Sequence, residues 1–476
     1  MPSIGRTARN KGDIVMPEAA HEKIINDITR RFAARTIKSA ALNAEAVRYM
    51  PGGHTRDAVN YKPYAAFIDH GKGSRIYDHD GNEYIDFLGN YTSLIHGHCD
   101  PDILAAVRAQ LEKGSSLCSP SALQIEHSKL LCGRTPFIEM VRYTNSGTEA
   151  TMFAIRTARA VMQKDMIIKL EGAYHGTHDD AKVSMIPDFQ PGELPTPHLE
   201  GSGIPQSTLQ DVVIAPFNNL AAAELLMKRH RDKLAGIIVE PYLASMGTVV
   251  PEPGYLKGIR DLCDRYGILL IFDEVQSFRV SVGGMQVREN VRPDISAVGK
   301  LIGGGYPVGA FGARRDIMER FSFDMLDPRA ITHSGTFNGN EITMAAGIAS
   351  MKKFDQAAVD HINGLGTRMM DGFTGVFRGL GLKCQATGIG SQCNINYTDK
   401  KISNALDFVM ALVPCLELQK LLHLELLNRG IFAACRNEFV ISTPMTEKDV
   451  DTCVQKVKES FEFLMPYIRE KTPHLL

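Results

Sequence analysis

The sequence predicts an α/β fold whose core is a mostly parallel sheet flanked by helices, and three observations lead there. From about His96 onward, short apolar runs and helical patterns alternate in a strand, loop, helix rhythm. The runs are Met140–Thr144, Met166–Leu170, Val212–Ala215, Gly236–Val239, Ile268–Phe272, Ala297-Val298 and Val308–Phe311, and several are apolar throughout rather than alternating. A strand covered on both faces reads this way. Third, the 476-residue length exceeds one ordinary core, since a domain averages about 150 residues.

The remaining elements follow in chain order. Residues 1–20 read as a disordered tail. They lack the apolar stretch of a secretory signal, although Arg6, Arg9 and Lys11 precede the first acid, Asp13, a weak sign of organelle targeting. From about His21 to Tyr49 the pattern is helical, and Pro51-Gly52-Gly53 breaks it. Arg75–Tyr77 and Glu83–Phe87 read as short strands around the turn Asp80-Gly81-Asn82. The Pro- and Gly-rich segment from Asp188 to Gln206 reads as an excursion of the large domain. After about Asn340 come helices through Met344–Phe354 and His361–Phe377, then strands near Gly388–Tyr397 and Phe439–Ser442. The predicted organisation is a tail (1–20), a first part of a smaller α+β domain (21–95), a large domain (96–345) and the rest of the smaller domain (346–476).

Composition narrows the function classes. With 44% apolar residues, 22% charged residues and a net charge of −1, the chain reads as a soluble globular protein without the basic face of a nucleic-acid binder. No apolar run approaches the roughly 18 residues that span a bilayer. Nine scattered cysteines with no Cys-x-x-Cys pair fit reduced thiols in the cytoplasm rather than disulfides or a metal site.

Three local patterns carry chemistry. Val141–Thr144 is strand-like and a helical pattern begins at Glu149, so Ser146-Gly147-Thr148 falls at a helix N-terminus. Backbone N–H groups there lack intrahelical acceptors, and the dipole favours an anion. Taken alone, Ser146 and Thr148 read sooner as ordinary N-caps than as an anion cradle. Asp273 ends the apolar strand Ile268–Phe272, where open α/β sheets bind ligands. Lys300 precedes Gly303-Gly304-Gly305 in an apolar, tight setting, unlike a solvated lysine. A phosphate cradle, an acid to hold a pyridine nitrogen protonated and a lysine for a Schiff base describe a pyridoxal phosphate site. There is no Gly-x-Gly-x-x-Gly between strand and helix, which argues against a nicotinamide dehydrogenase.

The blocks Asn145–Ala150, Tyr174-His175-Gly176, Val239-Glu240-Pro241, Phe272–Gln276, Gly299–Gly305 and His333–Phe337 resemble the class III aminotransferases, of fold type I among pyridoxal phosphate enzymes. The resemblance covers nearly the whole chain after residue 45. It implies that Ser146, Gly147 and Thr148 hold the cofactor phosphate, that Tyr174 stacks on the ring and that Val275 packs on its other face. Asp273 would pair with the pyridine nitrogen and Lys300 would carry the cofactor and move protons. His175, Glu240 and Gln276 would support the site. Thr336 would reach the phosphate of a neighbouring subunit, which implies a homodimer.

Two branches of the class are similar to this chain. Pro51-Gly52-Gly53 and Asn145–Ala150 resemble glutamate-1-semialdehyde aminomutase. Arg48–Gly53, Thr55-Arg56, Tyr91-Thr92, Gly97-His98 and Arg436 resemble the β-phenylalanine aminotransferases, the better match. That branch implies Arg56 and Arg436 as carboxylate anchors, Tyr91 as a pocket wall, and a ping-pong exchange between a β-amino acid and an α-keto acid. A guanidinium can grip a carboxylate through two parallel bonds. Either arginine reads alternatively as a surface ion-pair partner. Two departures stand out. His54 precedes Thr55-Arg56 where relatives carry asparagine or a small residue, and Gln276–Ser281 lacks the Thr-Gly-Phe-Arg of the aminomutase branch. An aminotransferase for another amine or amino acid, a related decarboxylase and a binding protein with a dead site are the remaining alternatives.

Overall fold

The computed structural model describes residues 20–190, 192–324 and 326–476. The tail expected over residues 1–20 therefore lies outside the described residues, except for Ala20, which opens the first helix.

A seven-stranded sheet forms the centre. Its order is Met140–Thr144, Gly309–Ala313, Ile295–Gly299, Leu269–Asp273, Leu234–Val239, Met166–Leu170, Val212–Ala215. Only Gly309–Ala313 runs against the rest, pairing antiparallel with both its neighbours. The doubly apolar runs are explained by which core each residue enters. Ile167, Ile238 and Ile271 pack with Ala150, Phe153, Ala154 and Ala158 of the helix Gly147–Met162. Their chain neighbours Ile168, Ile237 and Leu270 pack on the opposite side with Leu256, Ile259 and Leu262 of the helix Tyr255–Tyr266. Successive side chains of a strand point to opposite faces, so both faces demand apolar residues.

Two smaller sheets join sequence-distant parts. Ile68–Lys72, Arg75–Asp78 and Glu83–Asp86 form an antiparallel meander, and Ile431–Phe432 adds a parallel strand beside Glu83–Asp86. Gln385–Ile389, Gln392–Asn396 and Glu438–Val440 form an antiparallel sheet. Phe373 and Phe377 of the helix Gln356–Leu380 share one core with Phe461 and Leu464 of the helix Glu447–Lys471 and with Phe32 of the first helix.

The structure corrects some boundaries. The helical stretch expected from His21 to Tyr49 is two helices, Ala20–Arg35 and Ile37–Ala46. Thr36 breaks them with φ −128°, while its hydroxyl donates to the Phe32 carbonyl at 2.7 Å. Such side-chain bonds compete with the helical ladder. Ile68–Lys72 was not expected because it is mostly exposed and carries no apolar alternation. Among the described residues no helix is long and apolar enough to cross a membrane.

Candidate active site

Six of the seven strands of the central sheet share one direction, so their carboxyl ends lie along one edge. That edge delivers Ser146, Tyr174, Glu240, Asp273 and Lys300 from five separate stretches of sequence. Between them lies a cavity of about 200 Å³, lined by Gly147, Thr148, Tyr174, His175, Gly176, Glu240, Asp273, Val275, Gln276, Lys300 and Val308. This is where doubly wound sheets bind ligands.

At one end is the cradle. Ser146 caps the helix Gly147–Met162, its hydroxyl oxygen accepting from the Glu149 amide at 3.2 Å. The Gly147 and Thr148 amides that follow are the first of the helix and have no carbonyl a turn behind them. Glycine here is a packing requirement. A Cβ on Gly147 would lie 2.8 Å from Val275 Cγ1, and one on Gly309 would lie 2.0 Å from the Ser146 carbonyl oxygen.

The floor is acidic. Asp273 Oδ2 accepts from His175 Nδ1 at 2.7 Å, and Oδ1 accepts from the Val275 amide at 3.0 Å. Burial lowers the His175 pKa, so the ring is neutral and the proton it shares with Asp273 lies on Nδ1. His175 Nε2 is buried without a hydrogen-bond partner among the described residues. Glu240 accepts from the Tyr174 amide at 2.8 Å. Burial, then the nearby Asp273 charge, pushes the Glu240 carboxyl up to about 8.

Lys300 closes the cavity from the end of its strand, with a left-handed φ of 53° that a lysine rarely adopts. Its Nζ donates to Gln276 Oε1. Burial brings its pKa down to about 8, against the upward pull of Glu438, Asp273 and Glu240; Arg436 adds to the lowering. A lysine depressed this far supplies free amine near neutral pH.

A second cluster lies beside the cavity. The guanidinium carbons of Arg56 and Arg436 stand 5.7 and 5.5 Å from the centre of one ring, that of Tyr91. Arg56 Nη1 donates to Asn90 Oδ1 at 2.8 Å, and the Tyr91 hydroxyl donates to the Ala58 carbonyl at 2.6 Å. Asn90, Tyr91 and Thr92 all have positive φ (48°, 54° and 73°). Three left-handed residues that are not glycine cost on the order of 1–2 kcal/mol each, and such strain concentrates at functional sites. Arg436 pairs through Nη2 with buried Glu438, while its Nε is buried without a partner among the described residues. Arg56 and Tyr91 also wall a larger neighbouring cavity of about 730 Å³, lined by Tyr61, Tyr64, Phe67 and His423 among others.

The donor set fits pyridoxal phosphate. Free helix amides at one end suit a phosphate, a carboxylate at the floor suits a protonated ring nitrogen, and a lysine whose pKa is lowered to about 8 suits an aldehyde. The comparisons agree. The family model for class III aminotransferases matches residues 57–376. The chain belongs to the class III aminotransferases. It is 37% identical over 433 residues to a glutamate-1-semialdehyde 2,1-aminomutase of Desulforudis audaxviator, covering 90% of this chain and 98% of that one. A crystal structure of an omega-transaminase from Sphaerobacter thermophilus superposes with a TM-score of 0.86 at 40% identity, covering 90% of this chain and 98% of that one. A β-phenylalanine aminotransferase from Variovorax paradoxus superposes with a TM-score of 0.83 at 32% identity, covering 94% and 98%. As a class III aminotransferase, this enzyme has fold type I and uses pyridoxal phosphate.

The structure brings Gly147, Thr148, Tyr174, His175, Glu240, Asp273, Val275, Gln276 and Lys300 around one cavity, with Ser146 at its rim. Arg56, Tyr91 and Arg436 form their own cluster. Thr336 is not among the residues lining this cavity; it is exposed, in a loop tied to the cradle by Asn145 Nδ2 donating to Asn338 Oδ1 at 3.0 Å. Sequence reasoning missed Glu438 and Gln392. Arg436 lies in a turn and Asn437, between it and Glu438, has a left-handed φ of 58°, so no strand period links the two and no local signal marks Glu438.

Proposed function

We propose that this class III aminotransferase moves an amino group between a β-amino acid, β-phenylalanine being the model substrate, and an α-keto acid. The observation that carries the reading is the pair of arginines on one tyrosine ring. A β-amino acid holds its carboxylate one carbon farther from the amine than an α-amino acid does. Two anchors let one lysine serve both partners in turn, and a charge-assisted bond to each is worth roughly 1.5–3 kcal/mol. The aromatic lining of the neighbouring cavity supports an aromatic substrate side chain. The omega-transaminase and β-phenylalanine aminotransferase similarities support the same reading.

When bound, the cofactor supplies an electron sink for charge that develops at the substrate carbon. The chain's own residues do the rest. Asp273, kept in place by His175 and the Val275 amide, holds a proton on a ring nitrogen. Lys300 would take a proton from the substrate carbon and hand it to the cofactor carbon that receives the amino group, and in the second half of the exchange it would carry a proton in the reverse direction. Arg56 and Arg436 orient the carboxylates, and Tyr174 shields one side of the cavity. In the same reading a second copy of the chain supplies Thr336 to the phosphate, and the enzyme works in the cytoplasm, where its nine free cysteines stay reduced.

A second reading, a glutamate-1-semialdehyde-type aminomutase, is favoured by the curated relatives. Net keto-acid formation separates the two. Purified enzyme is incubated with 3-amino-3-phenylpropanoate and 2-oxoglutarate, and products are followed by mass spectrometry. Glutamate with a 3-oxo acid establishes β-transamination. Conversion of glutamate-1-semialdehyde to 5-aminolevulinate, with no turnover of the β-amino acid, rejects it in favour of the aminomutase.

A further inference from the structure

Glu438 belongs to none of the roles above, yet it is fully buried and holds a central place between the two clusters. Arg436 Nη2 pairs with its Oε2. Its Oε1 accepts from Gln276 Nε2 at 3.1 Å and from Gln392 Nε2 at 2.7 Å. Each amide is oriented by what its own oxygen accepts. Gln276 Oε1 takes the hydrogen bond of Lys300 Nζ, and Gln392 Oε1 takes that of the buried Tyr242 hydroxyl. Flipping either amide would set oxygen against oxygen at Glu438 and nitrogen against a donor at the other end. The result is one polarised chain from Arg436 through Glu438 and Gln276 to Lys300.

We infer that Glu438 is a positioning residue that relays occupancy of the Arg436 carboxylate anchor to the Lys300 nitrogen through Gln276. The inference rests on the reading of Arg436 as an anchor. With no substrate, Arg436 neutralises Glu438. A substrate carboxylate that takes up Arg436 leaves Glu438 less compensated, and its charge then acts on the lysine nitrogen through the bridging amide. Proton affinity at the reacting nitrogen rises only when an acid is seated. Partial satisfaction of Arg436 makes the exchange feasible, because its Nε has no protein partner among the described residues. The other charged or titratable groups that feel Glu438 are Arg279, Tyr242, Tyr91 and Cys393; those that feel Lys300 include Asp273 and Glu240. None of these connects to both Arg436 and Lys300 by hydrogen bonds.

The test is a spectroscopic pH titration of the holoenzyme's visible cofactor band, with and without saturating 3-phenylpropanoate, an acid that lacks the reacting amine. In the native enzyme the acid should raise the midpoint by about one pH unit, the size an uncompensated neighbouring charge gives. Glu438→Gln, which keeps an acceptor for both amides, should lower the acid-free midpoint and abolish the response to the acid. Arg436→Gln, which leaves Glu438 uncompensated, should raise the acid-free midpoint. Opposite shifts from two changes in one ion pair are not produced by a merely structural role. An equal acid response in native enzyme and Glu438→Gln overturns the relay while leaving the anchor intact. No acid response in the native enzyme overturns the anchor reading, and the relay with it. Should Glu438→Gln fail to fold, Gln276→Met decides: it cuts the chain at the bridge, and a retained acid response refutes the relay.

Discussion

Gly309→Ala should cripple cofactor binding although Gly309 itself does not line the cavity. Gly309 begins the one antiparallel strand of the central sheet and is paired with Thr144 on one side and Gly299 on the other. An added Cβ would lie 2.0 Å from the Ser146 carbonyl oxygen and 2.4 Å from Thr144 Oγ1. Real Cβ contacts essentially never fall below 3.0 Å, so the backbone at Ser146 must retreat by about 1 Å. Overpacking of this kind costs typically 1–3 kcal/mol of stability. The same displacement moves the Gly147 and Thr148 amides away from an anion. Losing one charge-assisted hydrogen bond costs about 1.5–3 kcal/mol, which is roughly 10- to 150-fold in the cofactor dissociation constant. The assay is titration of apo-enzyme with pyridoxal phosphate, followed by visible absorbance, beside a thermal melt. Gly309→Ala with an unchanged dissociation constant and melting temperature would refute the claim that this strand pins the cradle.

Three further outcomes are expected. The Lys300 pKa of about 8 lies below its ordinary 10.5, so between those values the folded apo-enzyme holds fewer protons than the unfolded chain and this group makes stability rise with pH. Cofactor loading should accordingly slow about tenfold per pH unit below 8 and plateau above it, since the free amine is the nucleophile; a rate flat from pH 6 to 10 in stopped-flow mixing contradicts this. Tyr91→Phe keeps the ring under both guanidinium groups and should change KM little, whereas Tyr91→Ala removes two cation–π contacts of about 0.5–2 kcal/mol each and should raise KM for both acids at least several-fold. Thr446 and Asp449 form a reciprocal cap on the helix Glu447–Lys471, so Thr446→Ala should lower stability by about 1 kcal/mol in urea melts and leave kcat unchanged.

The elements legible in sequence are those whose burial pattern is local. Met166–Leu170 and Val212–Ala215 have the bounds expected of them, because burial leaves largely apolar runs, and Met140–Thr144 has its expected bounds at the sheet edge although Arg142 interrupts it. The antiparallel sense of Gly309–Ala313 leaves no such trace, since pairing direction depends on where the preceding chain returns rather than on side-chain character. Asp273 and Lys300 were readable because each ends a buried strand. Glu438 was not, because its meaning comes from Gln276, 162 residues away. Tyr91 as a shared platform was hidden for another reason: three successive positive φ values at Asn90, Tyr91 and Thr92 are not what those residue types prefer.

The charge state of the pocket is set by burial more than by neighbours, and that ordering matters for the chemistry. Lys300 feels three carboxyl groups, Glu438, Asp273 and Glu240, each of which favours the ammonium. Coulomb attraction alone would therefore place its pKa above 10.5. It falls instead to about 8, so removal from water outweighs all three. Glu240 shows the converse. Lys300 and Lys169 favour its charged form, yet burial and Asp273 lift it to about 8. Near neutral pH the acid and the amine are thus each within reach of their neutral forms, and a proton can leave or return to Lys300 at modest cost. Asp273 is held in place by its neighbours, one oxygen accepting from His175 and the other from the Val275 amide. An amine that can gain or lose its proton near neutral pH, at the end of a strand beside the hydrogen-bonded Asp273, is what proton transfer at a substrate carbon requires.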